Sequence, residues 1–370
     1  MISKEKNAVI APALLRKLRE NTGYSEQQAS RKLDISIEEL IKIEKCEKLI
    51  TISQIRKFSD IYQYPLVTFF EEKAPEYPHK LKDYRINRNK MINPEVRKAE
   101  RRAYYLINAL QEISEEKSKI PEFSSDYTAT QLAQAFKERI QLDKPAVKKS
   151  EDALDYYKTQ LENKMGIIII EYPLKAEDVR AFSIHSEISI VVLNEKDATE
   201  TKLFSLFHEF CHLIKRSSAM CSIEINGEGA DQIEFYCNEF ASEVLVPTNE
   251  LRRKLSNIDT SQKSITDLSK EYFVSKQVIM IKLLTNGLIP QERYSAFKKA
   301  FDEKLLPKNR YGRRNWEKIY LKRVGKKTVE KVKGAHRLGK ISTADALDIL
   351  NIKSKYAEKF IGEGGYSGSN

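Results

Sequence analysis

The residues best equipped for chemistry are His208, Glu209 and His212, in the pentapeptide His208-Glu209-Phe210-Cys211-His212. It reads H-E-x-x-H and lies within Thr201–Arg216, where Leu203, Phe204, Phe207, Cys211 and Ile214 mark the apolar face of a helix. Residues four apart on a helix lie one above the other. His208 and His212 are therefore spaced to aim two imidazoles at one metal ion. Glu209 falls one position round, where it reaches a water rather than the metal. This is the zinc-peptidase arrangement, with Zn2+ on the histidines and Glu209 as general base. The chain has only five histidines in 370 residues, so a chance match is rare.

A catalytic zinc takes three protein ligands and keeps a fourth position open. After a polar, glycine-containing loop over Ser217–Gly229, helical periodicity returns in Asp231–Val246, closed by Pro247. That stretch carries Asp231, Glu234, Asn238, Glu239 and Glu243. Glu234 is the first choice for third ligand, because its distance from His212 lets the chain turn and lay a second helix along the first. On spacing alone the other carboxylates stay open. A donor to the developing oxyanion is also expected, and His185, Tyr236 and Arg216 are the candidates. Cys211, Cys221 and Cys237 cluster around the motif, which raises a cysteine-rich structural zinc site as an alternative. No C-x-x-C pair is present, and a buried small thiol is the commoner use.

These residues need a scaffold. Three apolar runs precede the motif: Gly166–Tyr172, in which Ile167 to Ile170 are all isoleucine, Arg180–His185 and Ile188–Leu193. β-branched runs with breakers between them read as strands. A small sheet beside the active-site helix is the zincin framework, in which an edge strand holds an extended substrate by main-chain pairing. Further upstream, Pro94–Glu116, Thr128–Leu142 and Ser150–Met165 read as helices. Downstream, so do Ser264–Tyr272, Ser275–Thr285, Pro290–Lys304 and Ser342–Phe360. The expected class is α+β, mostly helical.

The first residues form a separate pattern. Ala11–Thr22, Glu26–Leu33, Ile37–Lys45, Ser53–Tyr62 and Pro65–Phe70 read as helical pieces, with Ser25 and Ser36 as N-caps. A short helix, a tight turn and a capped helix have helix-turn-helix spacing. If the third piece meets DNA, Ser36, Glu38, Lys42 and Lys45 are the contact candidates. Glu38 and Glu39 repel phosphate, although a glutamate accepts from cytosine.

Two stretches resemble the ImmA/IrrE metallopeptidases, in the version fused to an N-terminal XRE-type helix-turn-helix. They are Phe204-Ser-Leu-Phe-His-Glu-Phe-Cys-His212 and Glu234-Phe-Tyr-Cys-Asn-Glu-Phe-Ala-Ser-Glu-Val-Leu-Val-Pro247. The second is similar to the family pattern E-x-x-A-N-x-F-A-x-x-L-x-x-P, whose leading glutamate is the third zinc ligand; the resemblance thus implies that role for Glu234. Cys237 replaces the usual alanine. Asn194 fits the family's strand-end asparagine, and Leu81-Lys-Asp-Tyr-Arg85 its L-P-D-F-R element. Ile43-Glu44-Lys45-Cys46 stands where the family has W-E-x-G, without the tryptophan and glycine. The resemblance implies site-specific cleavage of a transcriptional repressor, often the product of a neighbouring gene, after a stress or mobile-element signal. It extends from about Ala11 to Val274.

Length and composition leave room for several domains. The expected division is a helix-turn-helix over 1–72, a helical connector over 73–150, a metallopeptidase core over 151–260, a helical basic region over 261–361 and a disordered tail over 362–370. No run of 18 apolar residues occurs, so no membrane span is expected, and no apolar signal core follows the N-terminus. With four cysteines, a reducing, cytoplasmic setting is expected. From Lys304 to Lys340 there are 14 Lys and Arg against two acids, a net +12, whereas the whole chain carries +11. Such a patch attracts nucleic acid or an acidic protein surface. The expected function is a zinc endopeptidase acting on a protein partner, with DNA binding possible. The competing reading is a DNA- or partner-binding regulator, such as the antitoxin of a toxin–antitoxin pair, in which cleavage is secondary.

Overall fold

Short apolar repeats separated by capping residues build the N-terminal unit, residues 1–80 with 86–104; residues 81–85 with 105–370 form the second. The computed structural model describes residues 7–8, 10–11, 13–62, 64, 66–75, 82–83, 93–174, 179–216, 219–221, 232–255, 260–302, 316–352 and 356–362.

In the first unit β1 (Asn7–Ala8) pairs antiparallel with β2 (Ile50–Thr51). Around them run α1 (Leu14–Thr22), α2 (Glu26–Leu33), α3 (Ile37–Glu44) and α4 (Ile52–Tyr62), followed by a 3-10 turn at Leu66–Phe70. α1 starts at Leu14 instead of Ala11 because Ala13 takes a left-handed conformation, φ 62°. Ser25 and Gln28 form a capping box on α2, and Ser36 Oγ accepts from Glu39 N at 3.1 Å to cap α3. Leu18, Leu33, Leu40, Ile55, Phe58 and Phe69 fill the core. The buried Arg19 donates to Glu44 at 2.7 and 3.0 Å, tying α1 to α3. The boundary between the units falls within α5 (Pro94–Ile113).

The second unit contains a five-stranded sheet. Its strands are β3 (Lys82–Asp83), β4 (Ile168–Tyr172), β5 (Ala181–Ile184), β6 (Ile190–Asn194) and β7 (Ala219–Cys221), in the order β3-β7-β5-β6-β4. β4 runs parallel to β6, β5 antiparallel to β6 and β7, and β3 parallel to β7. The isoleucine run is explained by covering on both faces, which removes the polar alternation of a half-exposed strand. On one side α6 (Ala129–Arg139), α7 (Ser150–Met165), α8 (Thr199–Ile214) and α9 (Gln232–Leu245) build the main core. There Ile169, Ala181, Val191 and Leu193 of the sheet join Leu203 and Phe207 of α8. Beyond α9 come α10 (Thr248–Leu255), α11 (Gln262–Glu271), α12 (Lys276–Thr285) and α13 (Gln291–Asp302). α14 (Trp316–Val324) and α15 (Lys326–Arg337) pack on β4, and α16 (Thr343–Leu350) and α17 (Ala357–Ile361) pack on α15.

Several expectations change. The loop after α8 contains β7, which pairs with β5, so the edge of β5 facing away from β6 is already taken. The described part of the basic segment folds as α14 and α15, which bury Tyr320, Val324, Thr328, Val332 and Ala335; Lys318, Lys326 and Lys333 are exposed, whereas Lys331 is nearly buried and pairs with Glu116 at 2.7 Å. The helix expected over Ser342–Phe360 is two helices, because Asn351 caps α16 in the left-handed region, φ 52°. α10 follows Pro247, where no element was expected. Tyr311, the tail over 363–370 and, within the connector, residues 76–81 and 84–92 lie outside the described residues.

Candidate active site

α8 is buried on every side from Lys202 to Leu213. Its surroundings are apolar: Phe207 meets Tyr157 edge-on, and Phe210 packs against Phe136. Helix periodicity turns His208 and His212 to one side, where α9 lies against α8 and presents Glu234 in its first turn. The three side chains meet. His208 Nε2 is 3.3 Å from one oxygen of Glu234, His212 Nε2 is 3.2 Å from the other, and the two Nε2 atoms are 3.2 Å apart. All three residues are 0 % exposed.

This donor set fits zinc. Ligands about 2.0–2.1 Å from a tetrahedral ion stand roughly 3.3–3.4 Å from one another, close to the separations found. The charge states agree as well. Burial lowers the pKa of His208 against the opposing pull of Glu234, which favours the neutral imidazole that ligates metals. Burial alone pushes the Glu234 carboxyl up, but hydrogen bonds from His208 and His212 reverse this and hold it well below the usual range. Two imidazole nitrogens and one carboxylate make a His2Glu set. Asn238, one helical turn after Glu234, adds a smaller pull that raises the His208 pKa. Among the described residues this is the one His/Cys/Asp/Glu group arranged to hold a metal ion, and it contains no cysteine. Cys211 and Cys237 form no disulfide and are buried in the core.

The other carboxylates of the α9 region are engaged elsewhere. Glu243 accepts from Thr248 N at 3.0 Å and Thr248 Oγ1 at 2.6 Å, and pairs with Lys282. Glu239 accepts from Thr130 Oγ1 at 3.3 Å. Asp231 lies outside the described residues.

Glu209 is wholly buried, and its Oε2 accepts from Ser183 Oγ of β5 at 2.9 Å. The candidate oxyanion donors are less well placed. Tyr236 donates its hydroxyl to the Tyr127 carbonyl at 2.7 Å, with Lys215 Nζ 4.5 Å from its ring centre. Arg216 pairs with Glu122 at the surface. His185 follows β5 and is half-buried. None of the three belongs to the His–His–Glu group. In the first unit Ser36, Glu38, Lys42 and Lys45 lie on or beside α3, and all four are exposed.

Sequence reasoning missed Ser183. The available signal was a single hydroxyl in an otherwise apolar strand. It also missed Glu171 of β4, which is fully buried and held by Lys158 Nζ at 3.1 Å and Lys202 Nζ at 2.8 Å, with Lys322 at 3.8 Å. Asn194, singled out at the end of β6, donates to the Val179 carbonyl at 3.3 Å and accepts from Lys196 N at 3.3 Å, which shapes the turn into α8.

Residues 162–284 match the family model described as Peptidase_M78, IrrE N-terminal-like domain. The matched stretch runs from the end of α7 through the sheet strands β4 to β7, α8 and α9 to α12. No curated protein matches the chain.

Proposed function

We propose that the chain is a zinc-dependent endopeptidase, with the ion held by His208, His212 and Glu234 and with Glu209 as general base. The observation that carries this is the approach of two buried Nε2 atoms and one buried carboxylate to within 3.2–3.3 Å of each other. The Peptidase_M78 match over the same stretch supports a metallopeptidase-type function. Held by these three residues, zinc would supply Lewis acidity, lowering the pKa of a water towards ~7 and polarising a carbonyl. Glu209 removes the proton of that water and passes it to the leaving amine. The apolar wall around α8 lowers the local dielectric and strengthens each of these interactions.

A peptidase implies a protein substrate. Following the resemblance, we take it to be a transcriptional repressor or another product of a neighbouring gene, cut at one site. No helix among the described residues is long and apolar enough to cross a membrane. The test compares new protein N-termini in cells expressing the wild type or Glu209→Gln. New N-termini with the wild type alone, at equal zinc content in the two proteins, are the expected result. Wild-type turnover by Glu209→Gln overturns the assignment of the base.

A second reading concerns the first unit. α2, the turn at Asp34-Ile35 and the Ser36-capped α3 have helix-turn-helix spacing. We assign to this unit a DNA- or partner-binding role, with Ser36, Glu38, Lys42 and Lys45 as contacts. A gel-shift assay over a salt series tests it: phosphate contacts weaken as salt rises. An affinity for DNA that ignores salt argues against them.

A further inference from the structure

All four residues of β5 are buried, and three of them, Ala181, Phe182 and Ile184, are apolar. The fourth, Ser183, is 0 % exposed, and its hydroxyl donates to Glu209 Oε2 across 2.9 Å. We propose that Ser183 is the positioning residue of the general base, a role that rests on reading Glu209 as that base. The argument begins with the cost of the hydroxyl. A buried hydroxyl gives up hydration that alanine never had, so packing alone favours alanine here, as at Ala181 two residues earlier on the same face. What offsets that cost is the charge-assisted bond to Glu209.

The placement also suits the task. A glutamate side chain has several rotatable bonds, and a general base must hold its carboxylate to within about 0.5 Å of the productive position. Glu209 sits on α8, which packs directly on β5. β5 is paired on both sides, through Ser183 to Val191 of β6 and through Phe182 to Met220 of β7. The hydroxyl therefore stands on one of the best-supported backbones in the unit. It fixes one carboxylate oxygen, so Glu209 approaches the water from a defined direction.

The test uses the full-length zinc protein and a synthetic peptide spanning the cut found with the wild type. Ser183→Ala is expected to lower kcat by about tenfold or more, the worth of a hydrogen bond to a charged group. KM and zinc content should not change. Ser183→Thr keeps the hydroxyl and suits a strand, so it should recover most of the lost kcat. A Ser183→Ala enzyme with wild-type kcat overturns the proposal, and so does an equal loss in Ser183→Thr. A second measurement is independent of turnover. In zinc-free protein, the unfolding midpoints of Ser183→Ala, Glu209→Ala and the double variant form a cycle. The double variant is expected to lose less than the two single losses combined; strict additivity overturns the contact. If the wild type cuts nothing, the peptidase reading falls, while this cycle still decides whether Ser183 holds Glu209.

Discussion

Burial raises the pKa of a carboxylate unless a partner favours the charged form, and Glu162 and Glu171 show both outcomes. Glu162 of α7 is pushed by burial from 4.5 to about 7, against the pull of Lys158 and of a bond from Ile169 N at 3.2 Å. Lys326 of α15 also pulls it down and Glu330 pushes it up, and Lys318 and Lys322 of α14 line the same small cavity with Asp155. The folded state thus binds this proton more tightly than the unfolded chain. The resulting stability is complete below pH 4.5 and is lost as pH rises through about 7. Glu162→Gln is neutral at every pH and lacks this loss. Urea unfolding at pH 5 and pH 8 should therefore show the wild type losing roughly 3 kcal/mol relative to the variant. A difference that does not change with pH sinks the idea. Glu171 behaves in the opposite sense. Burial pushes it up too, but Lys158 and Lys202 outweigh this and lower it to about 2. Its contribution is present above pH 4.5 and is lost as pH falls towards about 2.

At the scale of elements, Glu171 fastens α7 and α8 to β4 through Lys158 and Lys202. Removing the acid leaves two nearly buried ammonium groups facing each other. Glu171→Ala should cost about 3–5 kcal/mol in urea unfolding, the usual range for breaking a buried pair from one side. A loss under about 1 kcal/mol would show that the lysines turn to water instead. Gly325 joins α14 to α15 at φ 88°, and a Cβ there would lie 3.3 Å from the Ile169 carbonyl and from Ile170 Cγ2. Gly325→Ala should loosen the C-terminal helices from the sheet, seen as faster protease cutting after α13. These elements also show what a sequence reveals. α8 is legible because its apolar residues recur at helical spacing, and β4 because an unbroken β-branched run bounded by breakers favours a strand. The meeting of His208 with His212 follows from helix geometry alone, whereas the approach of Glu234 needs the family resemblance to single it out from neighbouring carboxylates. Strand order is not legible, since an apolar run does not name its partner, and β7 is too short to stand out from its loop. α14 and α15 are hidden by their lysines: the buried face of Tyr320, Val324, Thr328 and Val332 is thin beside the charge. Ser183 is hidden because one hydroxyl in a strand carries meaning only once Glu209 is beside it.

For the whole molecule, the division into two units makes a claim about cooperativity. The candidate zinc ligands His208, His212 and Glu234 all belong to the second unit. So does Trp316, the only tryptophan in the chain, which is half exposed and stacks on Tyr320 and Tyr356 at ring distances of 5.4 and 4.7 Å. Its helix packs on β4, and β4 lies in the same sheet as β5, the strand that meets Glu209. Tryptophan emission thus reports the second unit alone, whereas far-ultraviolet circular dichroism reports helices in both. A ligand that binds only the folded state stabilises it by about 2.7 kcal/mol at a hundred times Kd. Removing zinc with a chelator should therefore lower the transition followed by Trp316 and leave a second transition, seen only by circular dichroism, unmoved. Coincident transitions that shift together would mean that the two units unfold as one. A Trp316 transition indifferent to zinc, in protein shown to bind it, would place the ion outside the His–His–Glu group.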